Sequence, residues 1–497
     1  MAPTLHLNAI DAGAKITSGN HHWGTLPIGQ PAGPISFGFR DTAPTYTFYD
    51  FDFPKTFARF SSEQMVVGNY VIGQFAEVAN ITFSAVNPGG YTNNATILFA
   101  NWNQPSSFAG GVAAYPGSTD ASSSAGDVWI NSGVIPTQNI TNFHIYLHEL
   151  GHALGLQHPG AYNAGPNETI TYETHAEFVE DSQQYTVMSY FRETKTGANF
   201  VFNGSYEGPS TPLMFDISAM QRLYGANMST RTGDTTYGFN SNAGEPYSLA
   251  GASEKVVCCV WDAGGTDTFD FSGYANNQRT DLHAEGFSSV GPLTFNVSIA
   301  AGATIENASG GSGNDLVLGN AVRNILVGNG GNDFMTGDAG GDSIYGNLGD
   351  DAIYGNFDND SLFGGQGNDT VFGGQGVDAV YGNLGNDAIY GNLGDDVLFG
   401  GQGDDLIFAG QGADVLSGNI GNDTVTGGLG GDTYSFSGSS GSDKVLDFSG
   451  GAGDRVSLNG QSYMAASDGQ GGTLLTLSGG GVVHLVAVAS FDSAWLI

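Results

Sequence analysis

Basic residues are scarce in this 497-residue sequence, which has 13 lysines and arginines against 49 aspartates and glutamates. The formal charge of -36 disfavours nucleic acid and anionic membrane surfaces as partners, because like charges repel. So many carboxylates on a folded chain indicate bound cations instead. Long apolar runs are also lacking: none approaches the roughly 18 residues of a membrane-spanning helix, so no membrane span is expected.

Cysteine is nearly absent, since only Cys258 and Cys259 occur and they are adjacent. They lie in the apolar run from Lys255 to Trp261, which predicts a strand whose side chains alternate between faces. Adjacent cysteines bridge only with strain, so two packed thiols are predicted and a small disulfide-stapled fold is excluded. The N-terminus lacks a basic start followed by an apolar core, so no N-terminal secretory signal is expected.

Glycine, by contrast, is abundant at 79 residues, and it marks a repeat. From Gly310 to Ser435 the chain repeats with a period of nine over 14 units, a pattern typical of calcium-binding parallel β-rolls. The eighth position is apolar or aromatic throughout, from Val317 to Tyr434, and the sixth is aspartate except at Asn324. The 13 position-six aspartates are Asp315, Asp333, Asp342, Asp351, Asp360, Asp369, Asp378, Asp387, Asp396, Asp405, Asp414, Asp423 and Asp432.

Each residue type in this repeat has a physical role. Glycines permit turn conformations closed to other residues, and turn carbonyls with the position-six carboxylate supply the hard oxygen ligands that Ca²⁺ prefers. Two units make one coil, so about seven coils are expected, with the position-eight side chains pointing inward. The stretch holds 18 aspartates against one arginine, Arg323, so we expect it to be disordered at low calcium and to fold when calcium binds. The unbroken register disfavours the alternative, a glycine-rich disordered linker.

The first half of the chain is mixed in composition, with helical patterns at 61–79, 143–154 and 217–223. Ser61 and Gln64 are spaced as a capping pair for the first helix, and Asp216 is expected as the N-cap of the third. Helices and short strands without βαβ regularity predict an α+β domain.

A metal-binding motif lies on the second predicted helix, in the segment 148–158. His148 and His152 are four residues apart and therefore share a helical face, where both can bind one Zn²⁺. Glu149 lies one step round the helix, within reach of a zinc-bound water. Gly155 can adopt a left-handed conformation and turn the chain back, so that His158 returns as a third ligand. Three protein ligands leave a fourth position open, as a catalytic zinc site requires.

A second motif follows thirty positions later, where Val187, Met188, Ser189 and Tyr190 match the methionine turn of metzincins. With both motifs, the chain resembles the serralysin group of metzincin proteases. The segments similar to that family are 148–165, 212–227, 231–242 and 261–273. The resemblance runs from about residue 60 to the C-terminus, and the repeat array is longer than is usual for the family.

The resemblance implies a role for each residue of the two motifs. His148, His152 and His158 would bind zinc, and Glu149 would be the general base that takes a proton from water and passes it to the leaving amine. Met188 would form the apolar floor beneath the metal. Tyr190 would be a switchable fifth ligand whose phenol moves off to stabilise the oxyanion.

The resemblance also implies calcium ligands ahead of the repeats. They include backbone carbonyls, side-chain carboxylates and the first turn of the roll. One site would use Arg231, Gly233, Thr235, Asp262, Gly264 and Asp267; its neighbour would use Gly265, Asp267, Thr304 and Glu306; and Gly311, Gly313 and Asp315 would begin the roll's own series. One Zn²⁺ and several Ca²⁺ ions are therefore the expected cofactors.

The implied fold class is two-domain: an α+β metzincin catalytic domain followed by an all-β parallel β-roll. The expected segments are a propeptide or flexible N-terminus (1–20), the catalytic domain (21–245), a calcium-binding connecting β segment (246–309), the roll (310–435) and a C-terminal β segment (436–497). Residues 490–497 are similar to the family's uncleaved C-terminal signal, read by an ABC-type (type I) export machine in Gram-negative bacteria. A terminal strand that caps the roll is an alternative compatible with that role.

A secreted, extracellular and monomeric protein is expected, with protein or peptide substrates and the export machinery as partners. A small periplasmic protein inhibitor is left open as a further partner. By resemblance, Val112, Ala113 and Ala114 would form an edge strand that pairs antiparallel with an extended substrate; an ordinary edge strand ended by Pro116 is the alternative.

Three other histidines, His144, His21 and His22, are not interpreted as ligands of the catalytic zinc. His144 lies one turn before His148, but a fourth histidine ligand would close the open site, so it is interpreted as a bystander. His21 and His22 are interpreted as parts of a surface loop, with capping of an inactive zinc site as the alternative.

The conclusion from sequence is a secreted zinc endopeptidase. The first alternative is a catalytically silent calcium-dependent surface or adhesion protein on a protease scaffold, which the presence of Glu149 and of all three histidines disfavours. A second is another exported hydrolase on a similar roll, such as a lipase, and the absence of a Gly-x-Ser-x-Gly sequence counts against it.

Overall fold

The first part of the chain is built round a mixed β-sheet. The computed structural model describes residues 3–46, 52–103, 110–117, 123–133, 143–160, 162, 169–437 and 441–497. The strands of this sheet are β1 (Ala32–Arg40), β2 (Phe57–Ala58), β3 (Ile81–Ala85), β4 (Tyr91–Thr92), β5 (Ile97–Trp102), β6 (Gly111–Ala113) and β7 (Val128–Asn131). Their order is β3-β1-β5-β7-β6, with β2 and β4 pairing to β5 and β1. The central strands β5 and β7 are buried on both faces, whereas β6 lies at the edge, antiparallel to β7.

Helices cover this sheet and carry the motifs. They are α1 (Ala9–Lys15), α2 (Phe53–Thr56), α3 (Ser62–Val78), α4 (Phe143–Leu154), α5 (Tyr172–His175) and α6 (Met214–Tyr224), with a short 3₁₀ helix at Glu193–Lys195 and a hairpin of β8 (Val201–Phe202) and β9 (Ser205–Tyr206). The capping pair at the start of α3 is confirmed, because Ser61 Oγ accepts from Gln64 N and Gln64 Oε1 accepts from Ser61 N.

The expected N-cap of α6 was wrong. Asp216 lies inside the first turn, and Leu213 occupies the N-cap position. The Asp216 carboxylate reaches back to accept a hydrogen bond from Leu213 N at 2.9 Å. A carboxylate at the third helical position satisfies an otherwise unpaired N–H from within the helix. The helix therefore begins three residues earlier than predicted, and Asp216 acts from its first turn instead of capping it.

The described part of the N-terminal segment, expected as a propeptide or flexible N-terminus at 1–20, is packed against the core. Asn8 caps α1 by accepting from Asp11 N, and α1 packs against α6 with Ala9, Ala12 and Ile16 inaccessible to solvent. Ala9 N donates to Glu285 Oε2 at 2.8 Å, which ties this helix to the connecting segment. Small apolar residues on one face of α1 therefore join it to the core.

The second part of the chain coils into two parallel sheets. Before the repeats the strands are β10 (Thr236–Gly238), β11 (Cys258–Val260), β12 (Thr268–Asp270), β13 (Arg279–Asp281), β14 (Phe287–Ser288), β15 (Val297–Ile299) and β16 (Asn307–Ser309). The repeats supply β17 (Leu316–Asn320), β18 (Ile325–Gly330), β19 (Phe334–Asp338), β20 (Ser343–Leu348), β21 (Ala352–Phe357), β22 (Ser361–Gln366), β23 (Thr370–Gln375), β24 (Ala379–Leu384), β25 (Ala388–Leu393), β26 (Val397–Gln402), β27 (Leu406–Gln411), β28 (Val415–Ile420), β29 (Thr424–Leu429) and β30 (Thr433–Ser435). The chain then continues through β31 (Ser442–Val445), β32 (Arg455–Ser457), β33 (Tyr463–Ser467), β34 (Thr473–Leu477), β35 (Val482–Leu485) and a 3₁₀ helix at Ser493–Trp495.

Successive repeat strands alternate between the two sheets, so the prediction of two units per coil is confirmed. β18, β20 and the later even strands to β32 form one sheet, and β17, β19 and the later odd strands to β31 belong to the other. Both sheets extend beyond the repeat, from Thr236 at one end to Leu485 at the other. The first strand of these sheets, β10, therefore lies before the expected connecting segment (246–309), near the end of the segment expected to be the catalytic domain (21–245).

The interior of the roll is filled by position-eight side chains from both sheets. These side chains, from Val317 to Tyr434, are at most 1% exposed, so the inward direction predicted for them is confirmed. Position-nine rings stack on the outer faces as two ladders with centroids 4.7–5.3 Å apart. One ladder is Tyr345, Phe363, Tyr381 and Phe399; the other is Tyr354, Phe372, Tyr390 and Phe408.

The two cysteines are buried free thiols on β11, as predicted. Among the described helices, none combines the length and the apolar character needed to cross a lipid bilayer.

Candidate metal and catalytic site

The helix that carries the metal motif, α4, ends where the sequence predicts. Gly155 has a φ of +110°, which favours glycine, and a Cβ there would overlap the carbonyl oxygen of His21. The last carbonyls of α4 are satisfied by distant side chains: Trp23 Nε1 donates to Ala153 O at 2.8 Å, and Tyr224 OH donates to Leu154 O at 2.7 Å. This support fixes the turn that returns the chain toward the helix.

Three histidine nitrogens converge at the C-terminal half of α4. His158 Nε2 lies 3.1 Å from His152 Nε2 and 3.3 Å from His148 Nε2. His148 Nδ1 lies 2.7 Å from Val187 O, and His152 Nδ1 lies 2.7 Å from Leu156 O. Because a carbonyl only accepts, each Nδ1 carries the proton and leaves an Nε2 lone pair facing the cluster.

The donor set fits a metal ion. Lone pairs that face one another at about 3 Å repel unless a cation lies among them, and three imidazoles are a common ligand set for zinc. Burial lowers the pKa of His148 to about 4 and that of His152 to about 3, so both rings are neutral, as metal ligands must be. Among the described residues, these three histidines are the one group of three or more His, Cys, Asp or Glu side chains whose ligand atoms all lie within 4.8 Å of one another.

Glu149 lies beside this cluster, 5% exposed, against the edge strand β6. A Cβ on Gly111 would lie 2.5 Å from Glu149 Cγ and 2.7 Å from its Oε1, so the glycine makes room for the carboxylate. Burial raises the pKa of Glu149 to about 8, and a cation on the histidines would oppose that shift. The predicted edge segment is shorter than expected: Val112 and Ala113 lie in β6, and Ala114 follows it, with its N–H donating to Asp127 O.

The methionine turn is held beneath α4. Met188 is fully buried, and its sulfur lies so close to Gly151 that a Cβ there would be 2.8 Å from it. Asp216 fixes this turn as well as its own helix, because its carboxylate accepts from Thr186 Oγ1 at 2.5 Å and from Val187 N at 2.9 Å. Sequence reasoning missed this second role, since the contact joins residues 30 positions apart.

Tyr190 lies at the mouth of the site, 49% exposed, with its ring centroid 4.6 Å from that of His158. The ring of Tyr162 stacks on Tyr190 at 4.8 Å and contacts His158 at 5.2 Å. Tyr162 OH donates to the buried Asp181, which also accepts from Ser189 Oγ at 2.7 Å. Sequence reasoning missed Tyr162 and Asp181 as supports of the site. Tyr162 falls in a segment (161–165) matched only by resemblance, the rest of which lies outside the described residues.

The N-terminal histidines lie near the site without joining it. The His21 ring stacks on Tyr115 with centroids 5.0 Å apart, and Tyr115 packs edge-on against His152 at 5.6 Å. His22 bonds the carbonyls of Asn20 and Leu26. His144, expected as a bystander, is bonded to Val187 O at 3.2 Å rather than to the cluster.

Acidic groups gather at the turns before the roll, where calcium ligands were expected. Asp267 Oδ1 accepts from Thr235 N at 2.8 Å, Asp267 N donates to Glu306 Oε2 at 2.7 Å, and Asp267 Oδ2 is buried without a hydrogen-bond partner. Burial, aided by Asp262 and Glu306, raises the pKa of Asp267 to about 7. An unpaired carboxylate oxygen among other carboxylates fits a cation.

The remaining expected ligands line the same turns. Asp262 Oδ1 accepts from Gly264 N, and Asp262 Oδ2 accepts from Tyr237 OH. A Cβ on Gly265 would lie 2.6 Å from Gly233 O. The Arg231 guanidinium pairs with Glu77, whereas Thr304 is exposed two residues before Glu306. At the first turn of the roll, Asp315 Oδ2 accepts from Gly311 N, and Gly313 O faces Gly331 of the next coil.

The position-six aspartates of the roll share one arrangement. In most of them the Oδ1 atom accepts the N–H of the aspartate one coil earlier, as between Asp387 N and Asp405 Oδ1 at 2.9 Å. Asp315 and Asp342 accept instead from Gln278 N and Asn324 N. Their Oδ2 atoms lie buried beside a glycine, where a Cβ would overlap both this oxygen and a carbonyl oxygen of the next coil. Eleven of these Oδ2 atoms have no hydrogen-bond partner: those of Asp333, Asp342, Asp351, Asp360, Asp369, Asp378, Asp387, Asp396, Asp405, Asp414 and Asp423. Buried oxygens that face one another without a proton fit Ca²⁺.

Asn324 is the one position-six residue of the repeat that is not an aspartate, and its side chain is fully hydrogen-bonded. Its Oδ1 accepts from Asn320 N, and its Nδ2 donates to Glu306 O at 2.7 Å and to Asn320 Oδ1 at 3.0 Å. An amide donor thus occupies the place where the aspartates leave an oxygen unpaired. No carboxylate oxygen is left unpaired at this position.

The three-histidine site is of the kind found in metallopeptidases, and two family models match the chain. A family model described as "Dual-action HEIGH metallo-peptidase" matches residues 53–170, and one described as "Peptidase M10 serralysin C terminal" matches residues 226–465. Both models describe metallopeptidases, and the chain is similar to serralysins over its C-terminal repeats.

Named relatives agree with this similarity. The chain is 47% identical to Serralysin B of Dickeya chrysanthemi over 270 residues, which is 52% of this chain and 54% of that protein. It is 45% identical to Metalloprotease AprA of Pseudomonas entomophila over 295 residues (58% and 59%) and 44% identical to Serralysin C of Dickeya chrysanthemi over 318 residues (62% and 63%). The chain thus spans little more than half the length of the curated relatives it matches.

Proposed function

We propose that the chain is a secreted zinc-dependent endopeptidase that hydrolyses peptide bonds in extracellular proteins. The observation that carries this proposal is the convergence of three Nε2 lone pairs next to the buried carboxylate of Glu149. The alternative of a silent surface protein has no comparable support, because all four of these groups are present and arranged together.

The proposed chemistry divides between the metal and the chain. When bound, Zn²⁺ polarises the substrate carbonyl and acidifies water. Glu149 then takes a proton from the attacking water and hands it to the leaving amine. The exposed phenol of Tyr190 turns to donate a hydrogen bond to the oxygen that gains negative charge. Tyr162 positions that phenol through ring stacking, and Met188 keeps the floor of the site apolar.

The substrate backbone is proposed to add to β6. This strand is the edge of the sheet and passes Glu149 at Gly111, so an extended peptide paired with Val112 and Ala113 would pass beside the catalytic groups. Ala114 would extend the same edge past β6.

Calcium is proposed to hold the roll and the turns before it, through the ligands named above. In this proposal residues 21–245 form the catalytic domain, 246–309 a calcium-binding connection, 310–435 the roll and 436–497 a segment with the export signal. A chain unfolded at low calcium would pass through a type I exporter and fold outside the cell. A small periplasmic protein inhibitor is proposed as a further partner.

Removal of zinc tests the proposal. Casein hydrolysis in calcium-containing buffer is expected to fall to background after treatment with a zinc-selective chelator, because the histidines alone supply no electrophile. Addition of one equivalent of Zn²⁺ should restore it. Hydrolysis that persists in protein shown by metal analysis to be zinc-free would contradict the proposal.

Gly111→Ala is expected to lower kcat by roughly 10- to 100-fold with little change in melting temperature, because its methyl group displaces the Glu149 carboxylate by about 1 Å. The matched control is Gly73→Ala on α3, where no atom lies within 4 Å of the added Cβ. Equal activity of the two variants would show that Gly111 has no part in positioning Glu149.

A further inference from the structure

A pocket of about 410 Å³ opens beside Glu149 and is not explained by the catalytic groups alone. Its lining includes His144 and Ile145 from α4, Gln183 and Tyr190 from the methionine-turn side, and Gly111 from β6. We propose that this pocket receives the substrate side chain that follows the cleaved bond, and that His144 selects long neutral side chains with a hydrogen-bonding end, such as glutamine. The proposal rests on the proposed endopeptidase function.

The position of Glu149 decides which substrate residue enters. Glu149 hands its proton to the leaving amine, and that nitrogen belongs to the residue after the cleaved bond. The leaving residue therefore lies on the Glu149 side of the metal. Because Glu149 is itself part of the pocket wall, the side chain of that residue is the one directed into the pocket.

His144 offers this side chain a hydrogen-bond acceptor. Its Nε2 lies 3.2 Å from Val187 O, which can only accept, so Nε2 carries the proton and Nδ1 keeps a lone pair. Within the described part of the chain, Nδ1 has no hydrogen-bond partner, and His144 is partly exposed to the pocket. A substrate group that donates a hydrogen bond can satisfy this nitrogen.

Gln183 offers the complementary donor. Its Oε1 accepts from Tyr206 OH at 3.1 Å and its Nε2 donates to Ser189 O at 3.2 Å, which fixes the orientation of the amide. One hydrogen of Nε2 is left over from these two bonds. An acceptor at His144 and a donor at Gln183 match the two ends of a carboxamide, and Ile145 contacts its methylene stem.

Charged side chains fit this pocket less well. A glutamate would face the Glu149 carboxylate across the pocket, where two like charges repel with little solvent between them. A lysine would pair with Glu149 and so compete with the proton transfer that Glu149 performs. The Arg192 guanidinium, which lies 3.7 Å above the Tyr206 ring, adds a positive charge behind Gln183 that further disfavours lysine.

The test compares peptides that differ only at the residue after the cleaved bond, carrying glutamine, leucine, glutamate or lysine. The wild type should cleave the glutamine peptide best. In His144→Leu, the kcat/KM ratio of the glutamine to the leucine peptide should fall about five- to tenfold, the effect of one hydrogen bond. Val187 O keeps its bond from His148 Nδ1, so this substitution leaves no unpaired carbonyl.

Two further variants separate selection from folding. His144→Gln retains a hydrogen-bonding end and should keep the glutamine preference. His6→Leu removes an exposed histidine that pairs with Glu180 and should leave the cleavage profile unchanged. The same ranking should appear as binding, without turnover, when labelled peptides are titrated into Glu149→Ala and Glu149→Ala/His144→Leu by fluorescence anisotropy.

The outcomes distinguish this inference from the function on which it rests. If zinc-loaded wild type cleaves no peptide, the endopeptidase proposal fails and the pocket assignment fails with it. If wild type cleaves the peptides but shows no preference at this residue, or if His144→Leu keeps the wild-type ratio, the assignment of His144 fails while the endopeptidase stands.

Discussion

Glu149→Ala is expected to lower kcat/KM on casein or a peptide by roughly 10³-fold, within the 10²- to 10⁴-fold range of a lost general acid–base group. Its carboxylate is the one acidic group in the wall of the pocket beside the histidine cluster. None of the three histidines depends on it for a hydrogen bond, so the variant should bind zinc as the wild type does. Steady-state kinetics and metal analysis on the same preparation check both halves of this expectation.

The matched control is Glu63→Gln, which removes an exposed carboxylate in the first turn of α3. This variant should retain full activity. A Glu149→Ala protein with activity within tenfold of wild type, and a full complement of zinc, would remove Glu149 from the mechanism. Loss of zinc together with activity would instead make Glu149 a support of the metal site.

Removal of calcium is expected to unfold the roll. Each site filled at about 100 times its Kd adds about 2.7 kcal/mol to stability, and several such sites equal the roughly 5–15 kcal/mol that hold a typical domain together. Without the ions, the eleven unpaired Oδ2 atoms remain buried. Chelation should abolish the β-sheet circular dichroism of the roll and enlarge the radius of gyration, and added calcium should reverse both.

Without calcium, the roll should be more stable in mild acid than at neutral pH. Burial raises the pKa of Asp333, Asp342 and Asp405 to about 8 in the folded chain, from a usual value near 4. Folded aspartates then bind protons more tightly than unfolded ones, so stability present below about pH 4 is lost progressively as the pH rises to about 8. The β-sheet circular dichroism of the roll in a calcium chelator, compared at pH 5 and pH 8, measures this difference.

Adjacent residues provide a matched pair for the calcium prediction. Asp396 is buried with an unpaired Oδ2, whereas its neighbour Asp395 is exposed. Asp396→Asn should raise the calcium concentration at half-folding about tenfold, because the site loses a charged ligand. Asp395→Asn removes the same charge and should leave the midpoint near its wild-type value. Equal midpoints in the two variants would show that general charge, rather than coordination, governs folding.

Features encoded over short distances were predictable from the sequence. The spacing of His148, Glu149 and His152 lies within one helix, and Gly155 marks the end of that helix through its own backbone preference. The roll was predictable for a different reason, since its strands pair at a constant offset of 18 residues and each unit repeats the same information.

Features that depend on distant contacts were not predictable in this way. Asp216 reads as a helix cap in sequence, and only the folded chain brings its carboxylate to Val187 in the methionine turn. Packing of α1 depends on Glu285, 276 residues away. The stack of Tyr162 on Tyr190 likewise has no periodic signature, because one aromatic residue in a loop has no pattern to repeat.

The two aromatic ladders repeat with a period of two coils. Along each ladder tyrosine and phenylalanine alternate from coil to coil, so the arrangement returns to itself after two coils of 18 residues each. Every coil contacts only its immediate neighbours, and stability in such arrays is close to a sum over adjacent units. The roll can therefore lengthen or shorten by two coils at a time with its stacking intact. Such a change alters the distance between the two ends of the roll and leaves the zinc site unchanged.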